Sequence, residues 1–361
     1  MNNQTTIDSF FKCKTTDGKE SYVKKYFYLD WSHAAKKPIE DAHWLYHKPA
    51  KINFQQKINC DYIKKGYYFY ICGFFENYEL DEYQLNKEKK YKNHSFLKSH
   101  LQKNIRVQDD QKALPTALHL MQLDLNEFLR RLTIIHLEDT FLHQSWTTLI
   151  WLMIAKSKKF KMKKYIFEWL LGFVFMTCKT KKKDDETKKI KGMDSLKIYK
   201  NYYDELNDYH NLELTKIQES MLYTIHIRCS YGGMDNDILM LKNYIILWKT
   251  RFINKSLCVL NAMKIVPISI YMNELPIEDW DLRAIDFHTY CKFNEFILKK
   301  YPQLESLDVV KKIIWIHNSG INKRTYETDF QKKIRKYKIE EWKLIKPYVK
   351  KMQHYLLVCY H

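Results

Sequence analysis

The sequence lacks the cysteine spacings that mark zinc modules and disulfide frameworks. Its eight cysteines are scattered, none forms a CxxC pair, and no cysteine–histidine spacing fits a zinc site. A signal peptide is also missing, so we expect reduced thiols in an intracellular protein. The longest apolar run, Tyr165 to Cys178, contains Glu168 and spans about fourteen residues, whereas a bilayer helix needs roughly twenty. We therefore expect a buried helix there and no membrane partner.

Motifs for nucleotide hydrolysis and for nucleophilic catalysis are missing as well. The sequence contains no GxxxxGK[ST] loop, no GxSxG and no arguable Ser/His/Asp or Cys/His arrangement. Its Gly-Gly pair, in the segment 230–234, is typical of a turn between helices. The sequence thus predicts no cofactor and favours a non-enzymatic protein, with an enzyme left open.

The chain is strongly basic, with 61 Lys and Arg residues against 42 Asp and Glu and a formal charge of +19. Apolar residues make up 45% of it, which indicates a folding chain and not a disordered basic tail. The excess positive charge favours an acidic partner, either nucleic acid or an anionic membrane surface. The alternative is an A+T-rich coding sequence, which would raise the lysine content without a functional cause.

The segment 4–11 carries the most specific pattern in the sequence. The pattern is a glutamine, two free positions, an aliphatic residue, two more free positions and then an aromatic pair. Its defining residues here are Gln4, Ile7, Phe10 and Phe11. This pattern resembles the PCNA-interacting peptide, by which proteins bind the replication sliding clamp. The resemblance implies that these four residues bind a PCNA-like clamp.

The spacing of this segment has a mechanical basis. In one 3₁₀ turn, Ile7 and Phe10 stand on the same edge with Phe11 beside them. Burying these three side chains would contribute about 1.5–3 kcal/mol each, and ordering a flexible tail would take back much of it. The polar stretch 15–20 suits a linker. The alternative is a frayed terminus whose aromatic side chains pack on the protein's own body.

Hydrophobic patterning predicts a mainly α protein. We expect a helical bundle with a small irregular N-terminal subdomain and a disordered N-terminal tail. The predicted divisions are a tail and linker at 1–20, a mixed subdomain at 21–92 and a helical domain at 93–361. The aromatic runs 26–31 and 67–72 fit either strands or buried apolar segments. Helices are predicted at 113–123, 146–155, 165–178, 238–252, 282–301, 307–317 and 325–360.

The stretch 113–155 carries a second, shorter resemblance. Arg130-Arg131-Leu132 is followed after five residues by Glu138-Asp139. That spacing is similar to the C-terminal helical domain of the Werner-helicase-interacting ATPase family, although no ATPase module is present. The resemblance implies a helical scaffold in which these charged residues form helix-terminal and inter-helix ion pairs. The alternative is a generic amphipathic hairpin.

Lysines concentrate in two regions. Between residues 155 and 200 there are fifteen lysines against five acids, and a second basic region runs from 322 to 351. Lysine contacts phosphate without reading bases, so these regions predict sequence-independent DNA binding. Tyr337 and Trp342 lie among the second group as base-stacking candidates, although core packing is favoured for both. The predicted nucleic-acid contacts are Lys158, Lys159, Lys161, Lys163, Lys164, Lys181, Lys182, Lys183, Lys332, Lys333, Arg335 and Lys336.

Two titratable groups keep a metal-dependent nuclease open as an alternative. On a helix, His136 and His143 share a face with Asp139 between them; otherwise Glu138 and Asp139 cap a following helix. Asp279, Asp281, Asp286 and His288 form the other group, in which Asp279 or Asp281 is also placed to cap a helix near residue 282. Neither group has a diagnostic spacing, so we assign no catalytic or metal-binding residue.

These observations favour a non-enzymatic accessory protein of DNA replication or repair. It would bind the clamp through its N-terminus and DNA through its lysines. The expected location is the nucleus, or a viral or organellar replication site. A scaffold subunit of a larger nucleic-acid complex is the third alternative.

Overall fold

The computed structural model describes residues 23–58, 67–78, 82–85, 93–184, 213–255, 263–270, 280–288, 290–325, 333–334 and 336–359. In these residues the protein is mainly α-helical and has a small N-terminal sheet. The predicted α class is therefore confirmed, whereas the bundle arrangement stays a prediction. The predicted tail at 1–20 lies outside the described residues.

Ten α-helices lie in the described residues. They are α1 His94–Arg106, α2 Asp110–Leu123, α3 Leu125–Asp139, α4 Trp146–Ser157, α5 Lys164–Lys179, α6 Lys216–Cys229, α7 Asp235–Ile253, α8 Cys291–Lys300, α9 Leu307–Ile314 and α10 Ile339–Cys359. Side chains of Asn93, Asp109 and Asp124 cap the first three helices. The helix predicted at 282–301 is wrong in its first half, because the residues described there form a short 3₁₀ turn, Leu282–Ala284, and α8 begins at Cys291.

The helices and strands group into two compact units, each built from separate segments of the chain. The first contains the described residues within Met1–Glu82, His143–Lys163 and Asp185–Asn261. The second contains those within Tyr83–Leu142, Lys164–Asp184 and Ala262–His361. The domains predicted from the sequence, 21–92 and 93–361, are each one continuous stretch of chain. Local patterning does not reveal which distant segments pack together, so it does not predict units of this kind.

The first unit contains the sheet. Its strands are β1 Val23–Ser32, β2 Lys37–Pro38, β3 His43–Leu45, β4 Phe54–Ile58 and β5 Tyr67–Phe75. They lie in the order β2-β1-β5-β4, and β3 also pairs with β1. The β1 and β5 strands are parallel neighbours. Phe27, Leu29 and Trp31 alternate along β1 and are fully buried, as expected for a strand with one face in a core. The two aromatic runs are therefore strands.

Helix α4 packs on this sheet through Trp151. The indole N–H of Trp151 donates to the carbonyl oxygens of Phe27 at 3.0 Å and Cys72 at 3.1 Å, which belong to the neighbouring strands β1 and β5. A buried tryptophan needs a partner for this nitrogen, and here two strands supply it. Trp151 thereby fixes α4 on the sheet.

The second unit contains α5, the helix predicted to be buried. Its residues Tyr165 to Leu171 are all buried, which confirms the prediction. At Gly172 a side chain would place its Cβ 2.2 Å from the carbonyl oxygen of Val266. Glycine is therefore required there, because the segment 263–270 passes directly over the helix.

Arg324 satisfies carbonyl oxygens at the C-terminal ends of two helices in the second unit. Its guanidinium donates to the carbonyl oxygens of Thr177 and Thr180, both at 2.6 Å, at the end of α5. It also donates to the carbonyl oxygens of Cys178 at 3.0 Å and of Ile105 at 2.7 Å, the latter near the end of α1. The last carbonyls of a helix lack partners within it, and a cation there is favourable. One side chain thus ties the ends of α1 and α5 together.

His100 of α1 is fully buried in its neutral form. Its Nε2 accepts a hydrogen bond from the backbone N–H of Asp281 at 2.9 Å, which requires that Nε2 carry no proton. Its Nδ1 lies 2.7 Å from the hydroxyl of Thr116, which donates to the carbonyl oxygen of Lys112. Burial lowers the pKa of His100 to about 3.

We predict that His100 makes the protein less stable as the pH falls. Its unfolded pKa is about 6.5, so between pH 6.5 and 3 the unfolded state binds a proton that the folded state excludes. The free energy of unfolding should fall by about 2 kcal/mol from this side chain between pH 7 and 5. Urea titrations of the wild type and His100→Gln at both pH values measure this. The variant should lose less stability on acidification; equal losses in the two proteins would contradict the prediction.

Candidate functional site

The four predicted clamp-binding residues, Gln4, Ile7, Phe10 and Phe11, lie outside the described residues. The same holds for Lys332 and Arg335 in the second basic region. The other predicted contacts are described, and they divide between the two units.

In the first unit, the end of α4 presents the lysines of a tight turn. Lys159 has a positive φ of 64°. Its backbone N–H donates to the carbonyl oxygen of Lys156, and the N–H of Phe160 donates to that of Ala155 at 3.0 Å. These are the two hydrogen bonds of a Schellman motif, which terminates a helix. The motif fixes the backbone that carries Lys158 and Lys159.

Phe160 anchors this turn. Its ring is fully buried and lies 4.7 Å from the ring centroid of Phe75 and 4.9 Å from that of Phe54. Lys159 and Lys161, on either side of it, are exposed, and Lys158 is half-buried. The buried ring therefore holds three neighbouring lysines at the surface. Lysines at a helix C-terminus also complement the helix dipole, which is a structural reason for their presence.

A shallow groove of about 590 Å³ lies beside these lysines. Its lining comprises Asn53, Phe54, Gln55, Gln56, Tyr78, Ser157, Lys158 and Lys159. Amide and ammonium groups thus face the same open space. Such groups donate hydrogen bonds to phosphate and sugar oxygens without reading sequence.

Lys163 differs from its neighbours because it is buried, with 5% of its surface exposed. Its ammonium lies 5.6 Å from the ring centroid of Tyr78. Lys156, which was not among the predicted contacts, forms an ion pair with Glu82 at 2.6 Å. Of the nucleic-acid contacts predicted in this unit, Lys159 and Lys161 are therefore exposed, Lys158 is half-buried and Lys163 is buried.

In the second unit, the predicted lysines flank α5 and precede α10. Lys164 begins α5 and is half-buried, whereas Lys181 and Lys182, just beyond its end, are exposed. The Lys183 ammonium lies 4.0 Å from the carboxylate of Asp139, and only 13% of the Lys183 side chain is exposed. Lys183 is therefore turned toward a buried carboxylate.

Before α10, Lys333 and Lys336 are exposed. Tyr337 is half-buried under the ammonium of Lys312, 4.5 Å from its ring centroid. Trp342 is 7% exposed and stacks on His317 at 5.6 Å. The core interpretation of Trp342 is thus confirmed.

Asp139 is the centre of a buried polar network in the second unit. It is fully buried, and its Oδ1 accepts from Nε of Arg106 at 2.7 Å while its Oδ2 accepts from Gln102 at 2.8 Å. Arg106 also donates to Glu138 at 2.8 Å. Burial by itself would raise the pKa of Asp139, but the cations of Arg106 and Lys183 lower it.

This network bears on two sequence interpretations. Glu138 and Asp139 lie at the C-terminal end of α3, so the interpretation that they cap a following helix is wrong. They form the inter-helix ion pair with Arg106, and Arg131 also lies 3.9 Å from Glu138. The structural role expected for these residues is therefore observed, while the family resemblance stays a prediction.

The residues considered for metal binding have other partners. His136 is fully buried, and its Nδ1 lies 3.2 Å from the hydroxyl of Thr177. His143 belongs to the other unit, where its Nδ1 accepts from the backbone N–H of Ser145. Within the described ranges, no group of three or more His, Cys, Asp or Glu side chains is arranged to hold a metal ion.

Of the second acidic group, Asp279 is outside the described residues, and Asp281 caps the short 3₁₀ turn at 282. Asp286 accepts from Nδ1 of His288 at 2.6 Å and from the ammonium of Lys103 at 3.1 Å. Although burial would raise the pKa of Asp286, these two partners lower it strongly. Asp286 is thus an ionised carboxylate with both oxygens occupied.

Sequence reasoning missed Trp315. This side chain is 37% exposed and lies 4.7 Å from the ring of His288. It begins a π-helical segment, Trp315–Ser319, that continues α9. Gly320, which follows this segment, was the available signal that the helix ends close to Trp315.

The comparisons with known proteins give no relative. The chain matches no family model, and neither a curated protein nor a solved structure is similar to it. Separately, no helix in the described part of the chain is both long and apolar enough to cross a bilayer.

Two substitutions at Lys159 separate its backbone role from its charge. Lys159→Gly and Lys159→Ala remove the same ammonium, but only glycine relieves the cost of a positive φ. The glycine variant should be more stable than the alanine variant by about 1 kcal/mol. Urea denaturation at neutral pH measures the difference. Equal stabilities would show that the turn does not constrain this residue.

Proposed function

We propose that the protein is a non-enzymatic accessory of DNA replication or repair, which acts at a nuclear, viral or organellar replication site. It binds a PCNA-like sliding clamp through Gln4, Ile7, Phe10 and Phe11, and it binds DNA through exposed lysines. The spacing of the four clamp-binding residues carries this proposal. This segment resembles a peptide that binds one specific partner, the sliding clamp.

The exposed lysines support the DNA-binding half of the proposal. Lys159 and Lys161 are exposed, and Lys158 is half-buried, on a turn whose backbone is fixed and which lies beside a groove lined with amide groups. Lysines so arranged contact phosphates with little dependence on sequence, and each contact makes the affinity depend on salt. Lys163 is left out of this surface because it is buried.

The second unit offers a further group of exposed cations. Lys181, Lys182, Lys333 and Lys336 are all exposed there. Lys183 is not included, because it faces Asp139. The formal charge of +19 attracts DNA to the protein at long range, in addition to these local contacts.

Binding to the clamp and to DNA is expected to be mutually reinforcing. A peptide that buries one aliphatic and two aromatic side chains gives modest affinity by itself, because ordering its tail is costly. Once the clamp encircles DNA, the tethered protein experiences a high effective DNA concentration. Two weak contacts then combine into one stable association.

Titration of the full chain with purified clamp tests the proposal. The double variant Phe10→Ala/Phe11→Ala should bind at least about tenfold more weakly than the wild type, equal to about 1.4 kcal/mol, because two buried rings are lost. Thr5→Ala/Thr6→Ala, at the free positions of the same segment, is the matched control and should bind like the wild type. Unchanged binding by the aromatic variant, or no binding by the wild type, would remove the assignment.

A further inference from the structure

Trp315 occupies an unusual position for an exposed aromatic side chain. It is the first residue of the π-helical segment Trp315–Ser319, which follows directly on the last residue of α9, and 37% of its surface is exposed. Wider helical turns of this kind are frequent at functional sites. The second unit places its most deeply buried cations directly against this ring.

Two cations lie close to the indole of Trp315. The ammonium of Lys103 lies 5.7 Å from the ring centroid of Trp315, and the guanidinium carbon of Arg106 lies 5.3 Å from it. Both side chains donate to the carbonyl oxygen of Ser319, at 2.8 Å and 3.2 Å. The ring of His288 lies 4.7 Å from the indole as well. A ligand can therefore reach only the exposed 37% of this side chain, and that exposed part of the ring is called its outer face here.

The indole is held rigidly in this orientation. A Cβ on Gly320 would lie 2.5 Å from Cε2 of Trp315, so the backbone there fits closely against the ring. Lys103 and Arg106 are 5% and 4% exposed, and each is bound to a carboxylate, Asp286 or Asp139. A ring so supported loses little conformational freedom when a ligand stacks on it.

The charges around Trp315 define the kind of ligand. Lys103 and Arg106 already lie beside the ring, so a planar group without positive charge is favoured there over a further cation. Lys311 and Lys312 precede Trp315 by one helical turn, on the side toward which its side chain leans. Lys312 is exposed, with its ammonium over the ring of Tyr337. An aromatic platform next to lysines suits a stacked base together with its phosphate.

We propose that the outer face of Trp315 binds an unpaired nucleobase of single-stranded DNA. This inference rests on the proposed function, because it adds a preference for unpaired bases to a protein already proposed to bind DNA. Base stacking tolerates every base and requires that the base be out of a duplex. The site would direct the protein to single-stranded regions next to the clamp.

The test compares two labelled probes with the same full-length protein preparations. The probes are oligo(dT) and a blunt duplex of equal length, and binding is followed by fluorescence anisotropy. Trp315→Ala should bind oligo(dT) about tenfold more weakly, whereas its affinity for the duplex should change less than about twofold. Trp315→Phe keeps a stacking ring and should retain most of the affinity for oligo(dT). Tyr355→Ala removes another exposed aromatic ring and is the matched control.

The ratio of the two affinities is the informative quantity, because partial unfolding of a variant lowers both affinities equally. An unchanged ratio for Trp315→Ala, or the same change for Tyr355→Ala, would overturn the inference. If the wild type binds both probes and Trp315→Ala binds each of them with the same affinity as the wild type, only the stacking proposal is refuted. If the wild type binds neither probe, both the stacking proposal and the DNA-binding half of the proposed function are refuted.

Discussion

The buried ion pair between Arg106 and Asp139 is the contact on which the second unit depends. A carboxylate with no exposed surface would be strongly unfavourable without a cation, and breaking such a pair costs about 3–5 kcal/mol. The pair joins α1 to the end of α3. Arg106 also donates to the carbonyl oxygen of Ser319, so the same guanidinium positions the segment that carries Trp315. The most deeply buried charge thus supports the exposed ring proposed to bind a base.

The sequence predicted those parts of the fold in which burial leaves a local signature. Helices α4 and α5 were recognisable because a helix that is apolar on nearly every side has to be buried. The strands β1 and β5 were not distinguished from buried apolar runs, since short aromatic segments fit both. Their pairing is parallel and joins distant parts of the chain, so no local period reveals it. The chain segments that make up each of the two units could not be predicted from the sequence for the same reason.

The candidate site was predictable in composition but not in detail. Lys159 and Lys163 look alike in the sequence, yet one is exposed on a helix-terminating turn and the other lies buried against Tyr78. The difference arises from packing between strands and the turn after α4. Trp315 resembles any aromatic residue of an amphipathic helix, because its cationic partners Lys103 and Arg106 come from a distant segment. Conversely, Trp342 lies among lysines in the sequence and is buried in the structure.

In the proposed function, clamp binding and DNA binding act together in one chain. The most direct test measures the affinity of the full-length protein for primed DNA with and without a clamp loaded on it, over a range of salt concentrations. We expect the loaded clamp to raise the affinity by about a hundredfold, and we expect the affinity for DNA alone to fall steeply with salt. An affinity unchanged by the clamp, or DNA binding that does not depend on salt, would contradict the proposed function.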